Sequence, residues 1–465
     1  MQAHLTNVDV AAAPIASYRS LLPEKTWQAF ASSMSGLAAA MKGRVLWNVN
    51  STARGGGVAE LLTSLIPYDL GAGIDERWVV IEGSPAFFNF TKRMHNLLHG
   101  VASDGTEITA AEKQEYQHTL GRNVRALVQV VRRGDVVVIH DPQAAGLVPP
   151  LVEHGAHVVW RSHVGIDRPN DAAREAWDLL RPYLDPAAAL IFSRATYVWE
   201  GLKADRVHII APTIDPFTAK NQEMADGEVM SILQKADIAE GRPGSTNGRI
   251  TRQAVRTGSR IPGGACVVLQ VSRWDELKDP LGVLQGFAFH VAPRSSSWLV
   301  LAGPGASSVR DDPEQPEVLH HVLARVSELP ADVAARVQIA QLPMDDVEEN
   351  ALIVNALQRR ADVVIQKSLA EGFGLTVAEA MWKARPVVAS RVGGIEDQIE
   401  DGKSGILIDD PRDLEAFGEA VIRLERDSEM ARRLGAVARQ RVVDQFLAPR
   451  HLQQQAELIL GIIAA

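Results

Sequence analysis

Short apolar runs rich in Val, Ile and Leu recur along this chain, each followed by a longer stretch of helical period. That alternation constrains the fold more than any other feature. The first series reads RVLWNVN (44–50), RWVVIEG (77–83), DVVVIHD (135–141), HVVWRSH (157–163), ALIFSR (189–194) and RVHIIAP (206–212). A second begins after a polar, glycine-containing connection near 218–262: CVVLQVSR (266–273), WLVLAGP (298–304), VQIAQLP (337–343), DVVIQKS (362–368), PVVAS (386–390) and GILIDD (405–410). Continuous rather than alternating apolar character marks strands buried on both faces of a parallel sheet, and helical crossovers between them make βαβ units. The expected class is therefore α/β: two doubly wound, Rossmann-like domains in tandem, with ligands beyond the carboxyl ends of the strands, in the cleft that the two would face. The expected division is 1–215, 216–445 and a terminal helix, 446–465, returning to the first domain. Residues 1–42 read as mixed and partly helical, without a usable motif.

At 465 residues the chain is too long for one ordinary core. A formal charge of −9, with no block of lysine and arginine, excludes nucleic acid as an expected partner. One cysteine, Cys266, permits no intrachain disulfide and points to a reducing compartment. The amino terminus lacks a basic segment followed by an unbroken apolar stretch, and no span reaches the roughly 18 apolar residues of a membrane helix, so a cytoplasmic protein without a membrane partner is expected.

The most informative chemistry lies in EGFGLTVAEAMWKARPVVAS (371–390). Gly372 and Gly374 let the backbone approach a ligand, a helix begins near Thr376 with its N–H groups and positive dipole end towards the loop, and Glu371 and Glu379 bracket it. The competing account is a capping box, Thr376 with Glu379, of purely structural purpose. Arg273 and Lys278, in SRWDELKDP, flank a strand end where two cations could neutralise a departing diphosphate, or simply be solvated in a loop. No Asp-x-Asp pair stands ready to hold a metal beside a diphosphate, so no metal ligand is expected. Gly55, Gly56 and Gly57, between a strand and a helix, suit a phosphate or sugar, or a tight turn; G-x-G-x-x-G is missing, which argues against a nicotinamide dehydrogenase. His163, with Arg161 and Asp167 close by, ends one strand, and HDPQ (140–143) ends another. The histidine could donate to a sugar hydroxyl and Asp141 and Gln143 could bind a second sugar, or these could be a structural histidine and an Asp-Pro turn.

The glycine loop, the SRWDELKDP loop and the paired glutamates of EGFGLTVAE, in this order along the chain, resemble the motifs of the retaining glycosyltransferases of family 4, which have the GT-B fold. Within that family NVNSTARGGGVAELL (48–62), GIDERWVVIEG (73–83), FFNFTKRMHN (87–96), HDPQ and EAMWK (379–383) are similar to the trehalose-forming glycosyltransferring synthases. The resemblance implies transfer of glucose from a nucleotide diphosphate glucose (ADP-, UDP- or GDP-glucose) to glucose as the small sugar acceptor, with retention of the α configuration, giving trehalose, and with no cofactor required; a homodimer is compatible with it. It implies Arg273 and Lys278 on the diphosphate and Glu379 on the ribose. Glu371 would hold the donor sugar and His163 would face it. Gly56, Gly57, Phe373, Gly374, Leu375 and Thr376 would serve as donor contacts, with Asp141, Gln143, Arg161 and Asp167 on the acceptor. Two segments depart from the pattern, RSHVGID around His163 and APTID at 211–215, and both bear on the acceptor. The alternatives are a family 4 transferase with another sugar, amino-sugar or cyclitol acceptor, a trehalose phosphorylase, and a nucleotide-sugar sensor without catalysis.

Overall fold

The computed structural model describes residues 5–53, 57–101, 108–305 and 314–464. Each apolar run of the sequence contains a strand, with ends that differ from the run by a few residues. In the first unit these are β2 (Leu46–Asn50), β3 (Glu76–Val80), β4 (Val136–His140), β5 (His157–Ser162), β6 (Ala189–Phe192) and β7 (Val207–Ile209), preceded by β1 (Thr6–Val8). In the second they are β9 (Val267–Val271), β10 (Trp298–Pro304), β11 (Val337–Leu342), β12 (Val363–Gln366), β13 (Val387–Ser390) and β14 (Ile406–Ile408), preceded by β8 (Val255–Thr257).

The first sheet runs β1-β3-β2-β4-β5-β6-β7 and the second β14-β13-β12-β9-β10-β11-β8. All pairings are parallel except those of β1 with β3 and of β8 with β11, which are antiparallel edges. The sequence reading missed these two strands. Each has only three residues, and their exposed patterns carry no apolar run to detect. Parallel order reverses between β2 and β4 in the first sheet and between β9 and β12 in the second. Such switch points leave a crevice at the carboxyl ends of the strands, because the following connections leave towards opposite faces of the sheet.

Both sheets carry helices over buried apolar faces. In the first unit Trp160, Trp177, Trp199 and Phe192 pack together beneath β5 and β6, with Trp177 stacked on Trp199 at 5.8 Å. The second core gathers Val268, Leu299, Leu301, Ile339 and Ile365 from its strands with Phe287 and Phe417 from helices. The chain divides into Met1–Ile214 together with Phe446–Ala465, and Asp215–Gln445. The terminal helix Ala448–Ala464 packs against helix Glu24–Ala40 of the first unit. It is pinned there by Arg450 donating to Ala211 O at 2.8 Å and by Ile214 N donating to Phe446 O at 2.9 Å. Among the described residues no helix is long and apolar enough to cross a membrane.

Candidate functional site

In the second unit the switch point brings two loops together. After β9 the chain turns through Glu276–Lys278, and Asp275 shapes that turn by accepting from Leu277 N at 2.7 Å and from Arg273 Nη2 at 3.1 Å. Asp279 follows in a left-handed conformation (φ 50°), caps the helix Pro280–Gly286 through Gly282 N, and is ion-paired with the fully buried Lys367 at the end of β12. Lys367 also donates to Pro411 O at 2.6 Å, and Leu369 N donates to Leu277 O at 2.8 Å. The two loops are thus cross-tied. Within that frame Lys278 Nζ reaches Glu371 Oε2 at 2.5 Å, with both side chains largely buried. Gln366 and Ser368, each 3.4 Å from the same oxygen, complete its surroundings. Arg273 sits on the same turn, half exposed.

The helix after the glycines runs Leu375–Trp382, and its N-cap is Gly374 at φ 82°, a conformation open to glycine and penalised for residues with a Cβ. The capping box does not form. Thr376 Oγ1 donates instead to Gln366 Oε1 at 3.0 Å, and no side chain caps the first turn. Among the described residues its leading N–H groups therefore have no side-chain acceptor, the condition under which a helix start attracts an anion. The loop is held from behind by Gln398, whose Nε2 donates to Phe373 O at 2.5 Å and to Gly394 O at 3.2 Å, and by Gly394 N donating to Gly372 O at 3.1 Å. Phe373 is buried in that packing.

Glu379 lies one turn into the helix and is buried, with Lys220 Nζ at 3.4 Å and Gln358 Nε2 at 3.5 Å from its carboxylate. Lys383, also buried, donates to Gln358 Oε1 at 2.7 Å, Asn221 Oδ1 at 2.9 Å and Glu379 O at 3.2 Å. Burial pushes its ammonium down to about 7 against the pull of Glu379. Sequence reasoning missed Lys220, Gln358, Gln366, Lys367 and Asp279 in this site. They come from segments scattered from 220 to 367 and share no local pattern, whereas Lys383 stood inside EAMWK without an evident role.

In the first unit His140 ends β4, and Asp141, at φ 60°, opens the short helix Asp141–Ala144 rather than a simple turn. Asp141 Oδ1 accepts His163 N at 2.7 Å, which fixes the backbone beyond β5. Burial raises the Asp141 carboxyl to about 7, opposed by that hydrogen bond and by the Arg161 charge. His163 Nε2 lies 2.9 Å from His140 Nδ1 in a stacked pair, and His140 Nε2 lies 3.0 Å from Asn48 Oδ1. Asp167 accepts from Arg194 at 2.6 Å and from Thr196 at 3.0 Å, and Gln143 is half-buried beside Asp141. Gly57 opens the helix Gly57–Gly71 at the end of the glycine loop; Gly55 and Gly56 lie outside the described residues.

Arg161, expected towards the acceptor, is buried, its guanidinium donating to His451 Nε2 at 2.8 Å and to Ile210 O at 3.0 Å. Desolvation pushes it down to about 9. A guanidinium on a strand end needs many acceptors if it is buried, and the returning terminal helix supplies one. Nothing in residues 157–163 signals that partner, 290 residues away.

Residues 48–199 match the family model described as trehalose synthase, N-terminal domain, and residues 345–441 match that described as glycosyl transferases group 1. A trehalose synthase of Rubrobacter xylanophilus is 34% identical over 452 residues, 97% of each chain. Two solved structures share the fold at low identity. An alpha,alpha-trehalose 6-phosphate synthase of Burkholderia multivorans superposes with a TM-score of 0.67 at 15% identity, over 90% of this chain and 99% of that one. Alr3699/HepE of Anabaena, in complex with UDP and glucose, superposes with a TM-score of 0.61 at 14% identity, over 90% of this chain and 100% of that one.

Proposed function

Since this chain belongs to the trehalose synthase family of glycosyltransferases and has the GT-B fold, we propose that it moves glucose from a nucleotide diphosphate glucose to free glucose with retention of the α configuration, giving trehalose. The observation that carries the reading is the Lys278–Glu371 pair at the second switch point, beside a helix start without a side-chain cap. Lys278, Arg273 and the N–H groups of Leu375 and Thr376 stabilise the charge that builds on the diphosphate as the anomeric bond breaks. Positive groups fixed before reaction need no reorganisation when charge appears, which is why such terms dominate transfer reactions. The UDP and glucose held by the Anabaena neighbour favour a nucleotide sugar over a free sugar phosphate as donor.

Glu371 orients the donor sugar and does not attack it. One carboxylate oxygen is held by Lys278 at 2.5 Å, a geometry that lowers nucleophilicity while leaving an acceptor for sugar hydroxyls. Glu379 receives the ribose hydroxyls. The acceptor hydroxyl enters on the face the diphosphate leaves, and a phosphate oxygen takes its proton. His163 contacts the sugar, with Asp141, Gln143 and Asp167 towards the acceptor, and the protein works in the reducing cytoplasm that a single cysteine suits.

Incubation with ADP-, UDP- and GDP-glucose plus glucose, followed by identification of the disaccharide and its linkage, tests this. Trehalose formed only with a nucleotide donor, and lost with Arg273→Ala, is expected. No disaccharide from any donor, or rapid breakdown of trehalose by phosphate without nucleotide, would overturn it.

A further inference from the structure

A hydrogen-bonded chain runs from the buried interior of the first unit to His163. Asp69 (1% exposed) and Glu76 (5%) meet in the interior with no ion-pair partner among the described residues. Glu76 Oε1 accepts from Asn48 Nδ2 at 2.7 Å, Asn48 Oδ1 lies 3.0 Å from His140 Nε2, and His140 Nδ1 lies 2.9 Å from His163 Nε2. His163 Nδ1 has no hydrogen-bond partner among the described residues.

Proton counting fixes the direction of this chain. With Asn48 Nδ2 donating to Glu76, Asn48 Oδ1 can only accept, so His140 carries its proton on Nε2. A neutral His140 then has a bare Nδ1, and His163 must donate to it from Nε2. This arrangement needs one proton on the acid pair, shared between Glu76 and Asp69. The opposite polarity needs two, because Glu76 would donate to Asn48 while Asp69 donates to Glu76. Two neighbouring carboxyls without a cation readily hold one proton and resist losing it, while the second is harder to keep. The rings stay neutral: burial pushes His140 down to about 3 and His163 well below its ordinary value. The Arg161 charge lowers both, and His451 further lowers His163. Asp141, the acid beside them, accepts from the His163 backbone N–H.

We propose that Glu76, Asn48 and His140 are positioning residues that lock His163 as its Nε2–H tautomer, so that His163 meets the sugar with a bare Nδ1 and accepts a hydrogen bond from a hydroxyl. A histidine that donated there would tolerate a phosphoryl oxygen; one that accepts repels it and selects a free hydroxyl. This deepens the reading above, on which the identity of the ligand rests.

The test uses ¹⁵N-labelled full-length protein at pH 8, with imidazole nitrogens read by long-range ¹H–¹⁵N correlation and His163 assigned by its loss in His163→Gln. A protonated Nε2 and unprotonated Nδ1 at His163 are expected; an Nδ1–H tautomer or an imidazolium overturns the proposal, and no substrate is needed to see it. Glu76→Gln keeps the polarity, since its amide donates to the Asp69 carboxylate and its oxygen still accepts from Asn48, so the same nitrogen stays protonated. Asn48→Leu removes the acceptor that holds His140 as its Nε2–H form, so His140 can present either nitrogen to His163. The His163 nitrogens should then report a mixture of tautomers, and kcat/KM for transfer should fall about 3- to 10-fold, as expected for loss of one net hydrogen bond in part of the population. A pure Nε2–H tautomer retained in that variant refutes the relay. Absence of glucosyl transfer in the unaltered protein, with the tautomer as stated, would refute the proposed function and leave the relay standing.

Discussion

Gly394→Ala isolates the dependence of the proposed site on the placement of the 371–374 loop. A Cβ built on Gly394 would lie 2.6 Å from Phe373 Cα, 2.7 Å from Phe373 Cδ2 and 3.0 Å from Gly372 O. The first contact is about 1 Å inside the ~3.5 Å at which carbon atoms attract, and two of the three atoms are backbone, so rotation of a side chain cannot relieve it. The loop must move by most of that distance. It would lose the bonds from Gly394 N to Gly372 O and from Gln398 to Phe373 O, and it would carry Glu371 out of register with Lys278. Overpacking of this kind destabilises by about 1–3 kcal/mol, whereas a 1 Å misplacement of positioning groups lowers turnover by roughly 100-fold. Activity should therefore suffer out of proportion to stability. The assay is glucosyl transfer at saturating donor, beside thermal unfolding. Gly263→Ala is the control, because no atom of the described residues lies within 4 Å of its added Cβ and its φ is not positive. Near-normal transfer by Gly394→Ala at full folding would refute the claim that this loop positions the donor.

Lys278→Met should lower kcat about 10²- to 10³-fold by removing a charge from the proposed leaving group. Glu371→Gln, which keeps an acceptor for hydroxyls, should do less, and equal losses measured by initial rates would argue that the pair is purely structural. Asp141→Asn should flatten the pH profile of stability. The native carboxyl, raised to about 7 from 3.8, keeps a proton that the unfolded chain releases, so its stabilisation is complete below about pH 4 and is lost as pH rises to about 7. Denaturant titrations at pH 5 and pH 8 should show the variant gaining about 2–4 kcal/mol relative to the parent over that interval, with an unchanged difference counting against a buried neutral acid. Ala384→Gly should raise stability by about 0.5–1 kcal/mol, because Ala384 sits at φ 54° where a Cβ is strained; a lower melting temperature would refute that account.

The sequence by itself determined the parallel strands of both sheets and marked the glycine loop of the proposed donor site. Runs such as VVVIH and WLVLAGP admit burial on both faces and little else, and the glycines of EGFG mark a backbone that must turn or be approached closely. Information of this kind is local, written in a few consecutive side chains, and it survives without knowledge of partners. Tertiary structure alone decided which groups meet. Lys278 finds Glu371 because β9 and β12 are neighbours at a reversal of strand order, Arg161 is drawn inward by His451 on a helix that returns at the end of the chain, and Thr376 abandons its cap for Gln366. The Asp69–Glu76–Asn48–His140–His163 chain joins residues from five separate places, so the proton state of its last ring depends on contacts that no spacing in the sequence encodes.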